Sequence, residues 1–159
     1  MKKLLFVALL VACGPSAAEL KTAKTTTYRI NARDMLALAA DVAQETYPIG
    51  SVNEGEHSFI TAPRWYGPEG DLESPGAGGF VNLRDRSVEV AFIVQVVEYG
   101  GGDVAVTVTP KTFQKLGGSP KPRELSPDDP YLPSFVHGRA DQLAIDIYNK
   151  AKPYAYTGH

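Results

Sequence analysis

Between residues 87 and 99 apolar side chains recur at every second position: Val88, Val90, Phe92, Val94 and Val96 share one parity. Glu89, Ala91, Ile93, Gln95, Val97 and Tyr99 hold the other. A period of two puts one apolar face on a strand. Gly100-Gly101-Gly102-Asp103 supplies a turn, after which Val104, Val106 and Val108 alternate with Ala105, Thr107 and Thr109. The pattern predicts an antiparallel hairpin whose second strand ends at Pro110, which lacks a ladder N–H. Residues 26–30, with Tyr28 and Ile30 alternating, predict a short strand. Residues 49–53 and 57–66 predict a hairpin or one irregular strand, with Pro63 confining its end to an edge or bulge.

Two other segments change period. Over residues 32–47 the polar positions Arg33, Asp34, Asp41, Gln44 and Glu45 fall within an arc of about 120° at 3.6 residues per turn. Met35, Leu36, Leu38, Ala39, Val42, Ala43 and Tyr47 fill the rest. Asn31 offers a cap and Pro48 a stop. Over residues 136–152, Val136, Ala140, Leu143, Ala144, Ile147, Tyr148 and Ala151 share a face, with Ser134 as the candidate cap. Ile145 falls on the polar side of that helix and has no role in the pattern. The predicted order is β-α-β-β-β-α, which implies an α+β two-layer sandwich with a mainly antiparallel sheet and two helices on one face. Phe92, Val94, Val106, Leu36, Val42, Leu143 and Ile147 are the expected core.

The chain begins differently. Met1-Lys2-Lys3 is a short positive region, and residues 4–12 are an apolar run. Nine residues rise only ~14 Å as a helix, against the ~30 Å hydrocarbon core of a bilayer. The run therefore reads as a secretory signal. Leu10-Val11-Ala12-Cys13 resembles the lipobox of bacterial lipoproteins, and Cys13 is the chain's only cysteine. That resemblance implies cleavage before Cys13, acylation of Cys13, and a membrane partnership through the N-terminal lipid. Gly14 in the following position implies the outer membrane rather than the inner. Residues 13–25 read as the acylated Cys and a tether, residues 26–152 as one domain, and residues 153–159 as a tail. Over residues 26–152 the element order and the strand HSFITAPRWY resemble small envelope-lipoprotein domains, including the helix-flanked domains of a lipoprotein of the outer-membrane barrel assembly machine. No functional residue carries over from that likeness.

Composition narrows the function classes. The chain has 159 residues, with 16 Lys and Arg against 18 Asp and Glu. Loss of Lys2 and Lys3 with the signal leaves 14 basic against 18 acidic groups. Nothing there favours nucleic acid or an anionic membrane surface. One Cys forbids a disulfide framework or a Cys-based zinc site. No nucleotide-binding Gly motif occurs in the clusters at 76–79 and 100–102, and no cofactor is expected. Glu124, Asp128 and Asp129 lack the spacing of a calcium loop. Glu54 and Glu56 flank a turn glycine, and neither His57 nor His137 lies in a nucleophile elbow.

Two Gly- and Pro-rich stretches, residues 67–79 and 115–133, read as long loops, where binding residues tend to collect. Arg64, Trp65 and Tyr66 stand at the entrance of the first. Tyr131 and Phe135 stand near the exit of the second. These five are the candidate binding surface, provided that both loops lie at one end of the sheet. The alternative is that the same rings anchor the loops. The resulting expectation is a non-catalytic, lipid-anchored envelope protein that binds another envelope protein. The alternatives are a small hydrolase using His57 or His137, and a binder of a small hydrophobic ligand held between helices and sheet.

Overall fold

The computed structural model describes residues 16–73 and 83–156. Along it run α1 (Ala17–Thr25), α2 (Ala32–Gln44), β1 (Ile49–Asn53), β2 (Ser58–Thr61), β3 (Arg64–Tyr66), β4 (Val88–Glu98), β5 (Val104–Gln114), β6 (Arg123–Leu125) and α3 (Ser134–Ala151). The strands form one antiparallel sheet in the order β1-β2-β4-β5-β6, with β3 paired to β4 beyond the end of β2. The helices pack against the sheet, so the protein is an α+β two-layer sandwich.

The alternation in β4 is realised in full. Val88, Val90, Phe92, Val94 and Val96 are all buried, facing Met35, Ala39 and Val42 of α2 and Val136, Leu143 and Ile147 of α3. Pro63 separates β2 from β3, which pair with successive stretches of the same strand. β1 and β2 form a true hairpin through a 3-10 turn, Glu54–Glu56, closed by His57 in the left-handed region at φ 49°.

Several expectations need correction. Residues 17–25 of the tether are helical: Ser16 caps α1 by accepting from the Glu19 N–H at 3.2 Å. α1 packs on α3 and joins them through Lys24 and Asp141 at 2.6 Å. Ile145, on the polar side of the amphipathic pattern, lies one turn beyond Asp141 and is 2% exposed on the helix that α1 packs against. Residues 26–30 make no strand; only Tyr28 bridges, to Val104 and Ala155. The second amphipathic helix begins at Ser134 with Pro133 in the cap position, and no side chain caps it.

Pro110 does not end β5. The Phe92 N–H bonds the Thr61 hydroxyl at 2.9 Å and the Val96 N–H bonds the His57 carbonyl at 2.9 Å. Even-numbered residues of β4 therefore aim their backbone groups at β2, and their β5 partners aim outward. Phe92 is opposite Pro110, so the missing N–H is on the outer side of β5. There β6 reaches only Thr112–Gln114 and Tyr28 only Val104. Pro110 sits in the gap, at an edge, where it interrupts nothing. Val106 borders the same gap and is half-buried rather than a core residue. β6 itself lies within the stretch read as a structureless loop.

Candidate functional site

The two long loops do meet at one end of the sheet. Gly70 of the first takes φ +90°, and a β-carbon there would stand 2.9 Å from the Phe135 ring. Arg139 Nη2 donates to the Gly70 carbonyl at 2.9 Å. Phe135 and Arg139 of α3 thus clasp the first loop through a position that only glycine occupies without strain.

The five candidate residues divide into three places. Arg64 and Tyr66 share the helix-side parity of β3, and Tyr66 is only 2% exposed. Its ring lies 5.9 Å from Phe135, and the Arg139 guanidinium stands 4.5 Å above it. Arg64 Nη1 donates to the Thr46 carbonyl at 3.0 Å and lies 6.0 Å from the Tyr47 ring. Tyr47 meets Phe92 edge-on at 4.9 Å. Burial raises the Tyr47 phenol pKa, against a hydrogen bond from Arg139 that pulls it down. These residues anchor the loop to the core. Trp65 has the opposite parity, opposite Glu89, and lies on the other face of the sheet. Tyr131 is 69% exposed, with Arg123 5.4 Å from its ring. One exposed aromatic patch is therefore not what the fold builds: alternation in β3 separates Trp65 from its neighbours, and Phe135 is spent on Gly70 and Tyr66.

In place of the patch there is a cleft of about 530 Å³ between Pro68 of the first loop and Pro130–Pro133 of the second. Its polar groups are Arg86, Gln114 and Arg123, with Tyr131 on the rim. Arg86 takes φ +64°, an uncommon conformation for a side chain with a β-carbon. Its N–H bonds the Lys115 carbonyl at 3.0 Å, which extends the β4–β5 pairing and holds the turn. Arg123 lies 3.3 Å from Asp129, whereas Arg86 has no carboxylate within ion-pair distance among the described residues. Gln114 is 7% exposed, with no side-chain hydrogen bond among the described residues. No motif marked Arg86 or Gln114, because their positions follow from pairing between residues far apart in sequence.

Beside the cleft, Arg84 holds the first loop down. It meets Glu73 at 2.8 Å, Asp71 at 2.5 Å and Glu69 at 3.5 Å. Its guanidinium lies across Gly67, where any β-carbon would collide with it. The hydrogen bond that Arg84 donates to Glu73 is the main reason that its pKa is raised. The pairs with Asp71 and Glu69 are exposed and fix geometry more than they add stability.

Catalytic readings find less. Among the described residues no three His, Cys, Asp or Glu side chains converge on a metal position. Glu54 pairs with Arg33 at 3.5 Å in the 3-10 turn. His57 lies on the β1–β2 connection and His137 is exposed on the first turn of α3. Neither imidazole is hydrogen-bonded to a hydroxyl or carboxylate among the described residues. Between helices and sheet, Met35, Ala39, Ala43, Val88, Val94 and Val136 are fully buried in one core, and five clefts among the described residues open to the surface. No helix among the described residues is long and apolar enough to cross a membrane. Cys13 lies outside the described residues, as does the Gly cluster at 76–79.

Fold and cleft define the class: an α+β domain whose polar surface groups converge where two loops meet. No protein-family model matches the chain, and no curated protein matches it.

Proposed function

We propose that the protein is a lipid-anchored component of the bacterial cell envelope, held at the outer membrane through Cys13, that acts by binding another envelope protein. The anchoring rests on Leu10-Val11-Ala12-Cys13 at the end of a signal-like apolar run. Several acyl chains, at ~0.8 kcal/mol per buried CH₂, hold a protein on a bilayer where one chain holds it only marginally. Because α1 is docked on α3, only residues 14–16 separate Cys13 from packed structure, a reach of ~10 Å. The domain then works at the membrane surface, not at the end of a long leash.

The observation that carries the binding role is the cleft with Arg86 at its wall. A guanidinium with no carboxylate partner among the described residues, a buried amide and an exposed tyrosine ring fit an acidic side chain or chain terminus of a partner. The test is cross-linking capture from intact envelopes. Arg86→Gly removes the charge and suits the left-handed backbone; combined with Arg123→Ala it is expected to lose the captured partner at unchanged melting temperature. Capture undiminished by the double substitution would remove the cleft from the binding role. Separately, Cys13→Ser is expected to abolish acylation, and a mature protein with a free Cys13 thiol by mass spectrometry would remove the anchor.

A further inference from the structure

The sheet ends at β1, and its outer side carries no strand among the described residues. The phase of the ladder fixes which groups it presents. His57 and Phe59 direct their backbone groups to β4, because the Val96 N–H bonds the His57 carbonyl and Phe59 pairs with Val94. Ser58 and Ile60 consequently bond Asn53 and Ser51 of β1. Val52, between them, aims its N–H and C=O away from the sheet. Its side chain shares the parity of Phe59, on the helix side, and is 52% exposed. There it lines a groove of about 250 Å³ with Leu36, Ala37 and Ala40 of α2, flanked by Arg33 and Glu54.

An open edge beside an apolar groove is the geometry of strand addition: backbone bonds hold an extended segment while alternate side chains enter the groove. A residue bonded to Val52 would share its parity and point its side chain towards Ala37 and Ala40. Ala37 and Ala40 are the small residues that leave room for it. Charge selects the occupant. From Asn31 to Pro63 the only Lys or Arg is Arg33, against the carboxylates Asp34, Asp41, Glu45, Glu54 and Glu56. A second copy of this chain would bring the same excess of carboxylates in residues 31–63 against itself, which opposes pairing. We propose that the β1 edge docks an extended, basic segment of a partner protein, with apolar residues at alternate positions, as a seventh strand antiparallel or parallel to β1. This surface is separate from the Arg86 cleft and stands or falls independently of it.

The test uses the full chain and two capped heptapeptides, Lys-Val-Lys-Val-Lys-Val-Lys and Glu-Val-Glu-Val-Glu-Val-Glu. The basic peptide is expected to slow hydrogen exchange of the Val52 amide at least tenfold and to bind at least tenfold more tightly than the acidic one. Val52→Pro is expected to lose that binding, since it removes an N–H that no bond among the described residues uses. Val52→Ala keeps the N–H and is expected to bind a few-fold more weakly. Equal binding of both peptides, or binding of the basic peptide with Val52 exchange unchanged, overturns the proposal. A dimer by light scattering with Val52 already protected assigns the edge to a second copy and also overturns it. Should Val52→Pro fail to fold, the exchange and charge comparisons on the unmodified chain decide the matter alone.

Discussion

The two faces of β4 are made from neighbouring residues of one strand, and both are largely apolar. On one, Val88, Val90, Phe92, Val94 and Val96 are buried under α2 and α3. On the other, Ile93 and Val97 are only half-buried and Gln95 is exposed, while the small Ala91 is buried. A side chain in the first set is surrounded on all sides, while one in the second loses less when removed. What separates them is not hydrophobicity but where the helix connections run: α2 and α3 both return to one side, and α1 joins them there. The unhelixed face keeps Trp65, half-buried beside Glu89.

The difference can be broken by truncation. Phe92→Ala should cost about 3–5 kcal/mol in denaturant unfolding, since a fully buried ring leaves a cavity. Ile93→Ala, one residue away, should cost about 1 kcal/mol, as its site is already open to water. Equal losses would mean that the second face is covered in solution. Next in size is Ile145→Ala, expected at about 2 kcal/mol because the side chain is buried on the helix that α1 packs against. In a variant lacking residues 17–25 the same substitution should cost much less, and the two losses should not add. Full additivity would separate Ile145 from α1.

Two smaller effects sharpen the picture of the covered face. Burial, and secondarily the neighbouring Tyr148, pushes the Tyr28 phenol from 10.0 to about 12. The folded state then holds this proton more tightly than the unfolded one. The contribution is complete below pH 10 and fades as pH rises towards 12. Tyr28→Phe should flatten the fall in melting temperature across that window. The smallest effect is expected at Thr112, whose buried hydroxyl has no hydrogen-bond partner among the described residues. Thr112→Val replaces an unsatisfied polar group with an isosteric methyl and should leave stability unchanged or raise it by up to about 1 kcal/mol. A clear loss would reveal a partner for that hydroxyl.

The sequence by itself determined what local periodicity can carry. It set the β4–β5 hairpin, both amphipathic helices, the α+β class, and six of the seven expected core residues, Val106 excepted. These follow because burial along a strand or helix is written at intervals of two or 3.6 residues. Only the tertiary structure decided the rest. Residues 17–25 have too weak an apolar stripe to announce a helix, and α1 exists against α3, the helix on which Ile145 is buried. Pro110 stays in a strand because its missing N–H happens to face an edge, a matter of ladder phase between β4 and β5. The candidate site was legible only as an end of the molecule: the loops meet, but Tyr66 and Phe135 turned inward, Trp65 turned to the opposite face, and Arg86 and Gln114 came forward. Which side chains converge depends on pairings across dozens of residues, and no pattern of nearest neighbours encodes them.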